Sequence, residues 1–170
     1  LRADEIPPQN RPEFALPQPG RIFQFPADHG SHPEYKIEWW YITGHLTSEG
    51  GQRHGFQATF FRRAGDRRTN TNTNTNTPSQ SLAPLTSATP LFATDEFFLA
   101  HMAWLDVATG TFRQEERLNR RGWDAQADTR KLQLRNGNWS LKDLGSDTNG
   151  ILALELRGGI QADLFWRMTL

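Results

Sequence analysis

The chain has no cysteine, which closes off both disulfide frameworks and thiolate chemistry. That absence leaves the compartment open, because exported proteins also do without the residue. No apolar run approaches the roughly 20 residues a helix needs to cross a bilayer. Excess charge of one sign is missing too. The 19 basic and 19 acidic side chains cancel, whereas a general nucleic-acid binder needs a basic surface to displace phosphate counterions. The basic pairs Arg62–Arg63, Arg67–Arg68 and Arg120–Arg121 are short, sit at expected strand ends and read as solvated turns. No stretch carries the periodicity of an amphipathic helix. An initiator methionine is lacking, since the chain starts at Leu1. Cleavage of an export signal or trimming of an upstream segment accounts for that start, and the former predicts a secreted or periplasmic protein.

What the chain has in quantity is aromatic bulk: six Trp and eleven Phe in 170 residues. Each buries a large area, which offsets a polar mean hydropathy of -0.69. The length suits one domain with a real core. Residues 1–20 hold five of the ten prolines and little periodicity, so they read as an extended arm. Strand patterns follow at Lys36 to Leu46 and at His54 to Arg62, joined across the Gly50-Gly51 turn as a hairpin. The Thr-Asn alternation from Thr69 to Thr77 has no apolar face and cannot repay its ordering entropy, so 67–90 is expected to be a flexible surface loop.

Strand signals resume at Glu96 to Val107, with Phe98, Ala100, Met102 and Trp104 on one face and Leu99, His101 and Ala103 on the other. Returns are expected at Thr111 to Asn119, Lys131 to Arg135, Trp139 to Leu144 and Ile151 to Leu156, with turns at Asn136-Gly137 and Asn149-Gly150. A last strand pattern, Ala162 to Leu170, runs to the end of the chain and stops. An unpaired strand edge is costly, so the chain is expected to be a fragment of a longer protein or its sheet to be completed elsewhere. The sum is an all-β meander forming an antiparallel barrel or sandwich over 21–170, incomplete at its C-terminus.

Chemistry-bearing residues cluster at Asp28-His29-Gly30-Ser31-His32-Pro33, just ahead of Glu38-Trp39-Trp40-Tyr41. His29 and His32, with Asp28, have the spacing to converge on a metal ion. The competing reading, in which they hydrogen-bond loop backbone or move protons, is favoured because no other ligand pattern accompanies them, and no metal or other cofactor is expected. Glu38 beside Trp39 is either a desolvated acid or one half of a buried ion pair with Arg117 or Arg62. Alternation sets Trp39 and Tyr41 on one face and Trp40 and Ile42 on the other, and one of these faces lines the interior. His101 is either a satisfied wall residue or a catalytic group, and Asp106 is placed to cap the turn that follows it.

The run Phe25 to Leu46, FPADHGSHPEYKIEWWYITGHL, resembles the segment that opens the first domain of the AttH and carotenoid 1,2-hydratase (CrtC) family. Three later stretches resemble that family in the same order: His54 to Arg62, Phe97 to Asp106, and Glu115-Glu116-Arg117. The resemblance implies a lipocalin-like (calycin) fold, the first of two such domains in about twice this length. It also implies a hydrophobic small-molecule ligand, a lipid or an isoprenoid, with a second lipocalin-like domain as intramolecular partner and peripheral association with the cell envelope. Catalytic roles would fall to Asp28, His29, His32, Glu38 and His101, and ligand contacts to Trp39, Trp40, Tyr41 and Arg117. Three functions compete: a hydratase adding water to an isoprenoid double bond, a carrier, and a structural envelope protein. Relatives labelled as secreted hydrolases suggest a fourth, but no G-x-S-x-G elbow supports a serine esterase. A hollow interior would favour the carrier, and a cavity exposing Glu38 or His101 would favour chemistry.

Overall fold

The computed structural model describes residues 14–65, 96–148, 150–161 and 163–170. The expected loop at 67–90 and most of the expected arm at 1–20 lie outside them. Among the described residues nine strands form two antiparallel sheets. The first sheet is β1 (Ile37–Thr47), β2 (Arg53–Arg63), β3 (Phe97–Asp106) and β4 (Thr111–Arg120), in that order. The second is β5 (Ala125–Ala127), β6 (Gln133–Asn136), β7 (Trp139–Ser146), β8 (Leu152–Ile160) and β9 (Leu164–Thr169), also in chain order. Among the described residues the only helical turn is a 3-10 turn at Ala27–His29, and no closed barrel forms. The architecture is the all-β one expected, in its two-sheet form.

Alternation decides which side chains meet between the sheets. Phe56, Ala58 and Phe60 of β2 and Ala100 and Met102 of β3 pack against Leu134, Trp139, Leu141, Leu156 and Ile160 of the second sheet. Met102, Trp139, Leu156 and Ile160 are fully buried. Truncating Leu156 to Ala is expected to cost about 2–5 kcal/mol, because such a site collapses only partly. Large side chains fill the space between the sheets, so the interior is a packed core, contrary to what a carrier with an internal cavity requires. Trp40, Ile42 and Leu46 of β1 close one side of this core.

Asn136, expected only as a turn residue, is buried between the sheets. Its side-chain amide donates to the carbonyls of Phe98 (2.9 Å) and Arg117 (3.3 Å), and its oxygen accepts from Asn119 (2.6 Å). One polar side chain thus ties β6 to β3 and β4 with its hydrogen-bonding capacity used.

Three boundaries differ from expectation. The short strand β5 was not anticipated, the strand expected at Lys131 to Arg135 runs instead from Gln133 to Asn136, and β8 continues past Leu156 to Ile160. The extension passes through Gly158 and Gly159, where a Cβ on Gly158 would sit 2.5 Å from the Trp166 ring. The glycine makes room for a cross-strand aromatic inside the sheet. The final strand pattern does find a partner: β9 pairs with β8 from Leu164 to Thr169.

Candidate functional site

The site is built where the loop before β1 folds back over the end of the first sheet. The 3-10 turn Ala27–His29 reverses the chain, and Gly30 then lies against the β5–β6 loop of the other sheet, with the Ser31 amide donating to the Asp128 carbonyl at 2.8 Å. A Cβ at Gly30 would stand 2.8 Å from the Thr129 carbonyl carbon, so this approach needs glycine. Trp40, pointing inward from β1, donates from its indole to the His29 carbonyl at 3.2 Å. The loop is thereby fixed to both sheets.

Under the loop runs a chain of charges of alternating sign. Arg62 on β2 is 2% exposed and directly opposite Glu38 on β1. Its Nη1 donates to Glu38 Oε2 at 2.8 Å, its Nε to Glu96, and its remaining donors to the Tyr35 and Pro33 carbonyls at 3.1 and 3.3 Å. Glu96 is completed by Arg121 Nη1 at 2.8 Å. On the other side, Glu38 accepts from the Ser31 hydroxyl (2.8 Å) and the His32 amide (2.6 Å), and its Oε1 lies 2.9 Å from His32 Nδ1. His32 Nε2 lies 2.9 Å from Asp28 Oδ1, which Arg21 also contacts. The order Arg121–Glu96–Arg62–Glu38–His32–Asp28–Arg21 leaves no buried charge unpaired.

The geometry settles several alternatives. The partner of Glu38 is Arg62. Arg117, the other candidate, lies elsewhere: its guanidinium stacks 4.0 Å over the Trp139 ring and bonds Glu115 and Asn138. Glu38 accepts from the Ser31 hydroxyl, the His32 amide and Arg62 and also meets His32 Nδ1, so it is a heavily bonded node of the network. Asp28 is held at about 2, below the ordinary carboxylate value, first by the Gln24 amide and then by His32, with Arg21 adding to both. His32 meets a carboxylate oxygen at each ring nitrogen. A neutral imidazole donates from one nitrogen only, so both contacts are hydrogen bonds only if the trio Asp28–His32–Glu38 carries an additional proton.

The remaining expected residues spread out. His29 stacks on Phe25 with ring centroids 4.3 Å apart. His101 is on the outer face of the first sheet, with Nε2 3.1 Å from Gln114, and does not join the cluster. Trp39 and Tyr41 are on that outer face too, about 60% exposed. Asp106 caps its turn as expected, accepting from the Ala108 and Thr109 amides. Among the described residues no group of three His, Asp or Glu side chains is arranged to hold a metal ion. Arg21, Ser31, Glu96 and Arg121 belong to the network and were not anticipated. Only the adjacency of Ser31 to His32 offered a signal for any of them.

A cleft of about 500 Å³ opens along the free edge of β1, lined by Phe23, Tyr35, Trp39 and Trp40 together with Asp28, His32 and Glu38. Aromatic side chains beside a few polar groups suit a ligand that is largely apolar with a polar group. The sequence model of the AttH-like family matches residues 16–169, and so spans the arm's end, the loop, both sheets and this cleft. No curated protein and no solved structure matches the chain.

Proposed function

Because the chain belongs to the AttH-like family, we propose that it binds a hydrophobic small molecule, a lipid or isoprenoid with a polar end, in the cleft beside β1. The observation that carries this reading is the meeting of four aromatic side chains with the Asp28–His32–Glu38 trio in one cleft. The packed core moves the ligand from the middle of the fold to its edge. Trp39 and Tyr35 stack on the apolar portion, and Arg21 and His32 face the polar end. Titrating the protein with fluorescent fatty-acid and acyclic isoprenoid probes tests it. Saturable binding that weakens about tenfold in Trp39→Ala, as expected for losing a buried aromatic contact, supports the cleft. No saturable binding to either probe class refutes it.

A second reading, acid-catalysed hydration of an isoprenoid double bond, is favoured by one feature, the imidazole held between two carboxylates next to aromatic faces. In that reaction a proton from His32 goes to one alkene carbon, the aromatic faces stabilise the cation, water adds to the other carbon, and its surplus proton returns to the trio. Incubation with acyclic carotenoids distinguishes this from binding alone. His32→Gln abolishes turnover while leaving probe binding within about threefold, since glutamine keeps a polar side chain but cannot deliver a proton. Unchanged turnover removes His32 as the acid.

The family reading carries two further proposals, export from the cytoplasm and a second lipocalin-like domain beside this one. Cell fractionation and the length of the native polypeptide test them.

A further inference from the structure

The outer face of the first sheet, turned away from the core, is organised in cross-strand rows. At the end nearest the cleft, one row reads Ile37, Arg63, Phe97, Arg120 across β1 to β4, and the next reads Trp39, Phe61, Leu99, Leu118. These eight positions hold six large apolar side chains, two arginines and no acid. Trp39 and Leu118 at the two edges are 60% and 66% exposed, and Ile37 is 53% exposed. The Arg120 guanidinium lies 5.2 Å over the Phe97 ring, confirming that the rows share one face. Beyond β4 a second cleft of about 450 Å³, lined by Phe97, Leu118, Arg120 and Trp123, continues the same surface. Trp123 is 74% exposed. The following row turns polar, with Tyr41, Thr59, His101 and Glu116.

We propose that this end of the outer face docks on an anionic lipid surface. A two-row apolar band spans about 7 Å along the strands and about 14 Å across them. Side chains on such a band can enter the headgroup region, into which interfacial elements sink by about 5–10 Å. Large apolar side chains rimmed by arginines and bordered by Trp and Tyr have the composition of a membrane interface, where aromatic rings sit at headgroup level and guanidinium groups reach phosphates. Charge complementarity selects the anionic surface: the two rows present Arg63 and Arg120 and no carboxylate, while Arg121 in the second cleft is paired with Glu96. Ile37 and Trp39 also line the ligand cleft, so docking sets its mouth at the headgroups.

Co-sedimentation of the full chain with vesicles tests this without any cleft ligand, so its failure leaves the ligand reading standing. Binding to phosphatidylcholine–phosphatidylglycerol vesicles is expected, with much weaker binding to phosphatidylcholine alone. Each of Arg63→Gln and Arg120→Gln should weaken it about fivefold, and Leu118→Ser should weaken it on both vesicle types. Three results overturn the proposal. The chain stays in the supernatant with the mixed vesicles, or it binds both compositions equally and is indifferent to the arginine variants. In the third, it forms a concentration-dependent dimer that Leu118→Ser dissolves without any vesicle binding, which makes the face an interface between copies.

Discussion

Two carboxylate clusters use the same chemistry in opposite ways. Glu38 and Glu96 share the buried Arg62, and the chain of contacts from Arg121 to Arg21 joins a loop, two strands, a residue just ahead of β3 and a residue just beyond β4. Glu155 on β8 is more deeply hidden, at 1% exposure, but its three cations Lys142, Arg157 and Arg167 are 40%, 49% and 67% exposed and come from strands already paired to one another. The first cluster adds tertiary structure, because it ties the loop before β1 to a sheet whose own strands are already paired by their backbone ladder. The second decorates a sheet whose backbone ladder would persist without it. Burial of the cation distinguishes them. Arg62 has no water to return to, whereas the partners of Glu155 do.

The largest expected effect comes from removing the shared cation. Arg62→Met leaves Glu38 and part of Glu96 uncompensated and should lower stability by about 3–5 kcal/mol, measured as a shift in the urea midpoint. Next is Glu38→Gln, which keeps the shape but loses charge-assisted bonds to Arg62 and His32. A loss of about 2 kcal/mol is expected, and a loss below about 0.5 kcal/mol would reduce the network to surface decoration.

The pH dependence sharpens the comparison further. Asp28 and Glu155 are both held at about 2 in the folded state, from ordinary values of 3.8 and 4.5. For Glu155 the first cause is Lys142, followed by Arg167 and Arg157. A depressed carboxylate stabilises the fold above its unfolded value, and that contribution is lost as pH falls from there through about 2. Stability should therefore decline between about pH 4.5 and 2, and Asp28→Asn should flatten part of that decline. If that variant leaves the acid limb unchanged, the loop contacts of Asp28 do not contribute to folding. The smallest effect is assigned to Arg167→Gln, under about 1 kcal/mol, because an exposed guanidinium is replaced by water and two cations remain on Glu155.

Most of the strand order was legible in the sequence, because alternation is a local property. Phe98, Ala100 and Met102 were placed on one face and His101 on the other, as the structure has them. Glu38 could be narrowed to two possible cations by charge and burial. Choosing Arg62 over Arg117 required the β1–β2 register, in which Glu38 stands opposite Arg62. Glu96 was beyond reach for the same reason: it lies 34 residues from Arg62 along the chain. Gly158 and Gly159 were obscured by an ambiguity of residue type. Glycine both ends strands and, under an aromatic side chain, lets them continue. The candidate ligand face was legible only as an alternative, since two alternating faces of β1 are both aromatic and only packing shows which is covered.

The Glu38–Arg62 network fixes the loop of residues 23–35 over the sheet end and so shapes the cleft. Amide hydrogen exchange in Glu38→Gln reads this out at the Ser31 and His32 amides, which are bonded to Asp128 and Glu38. Protection should fall across the loop while β6 to β9 exchange as before. Loop protection unchanged, or lost equally across both sheets, would contradict it.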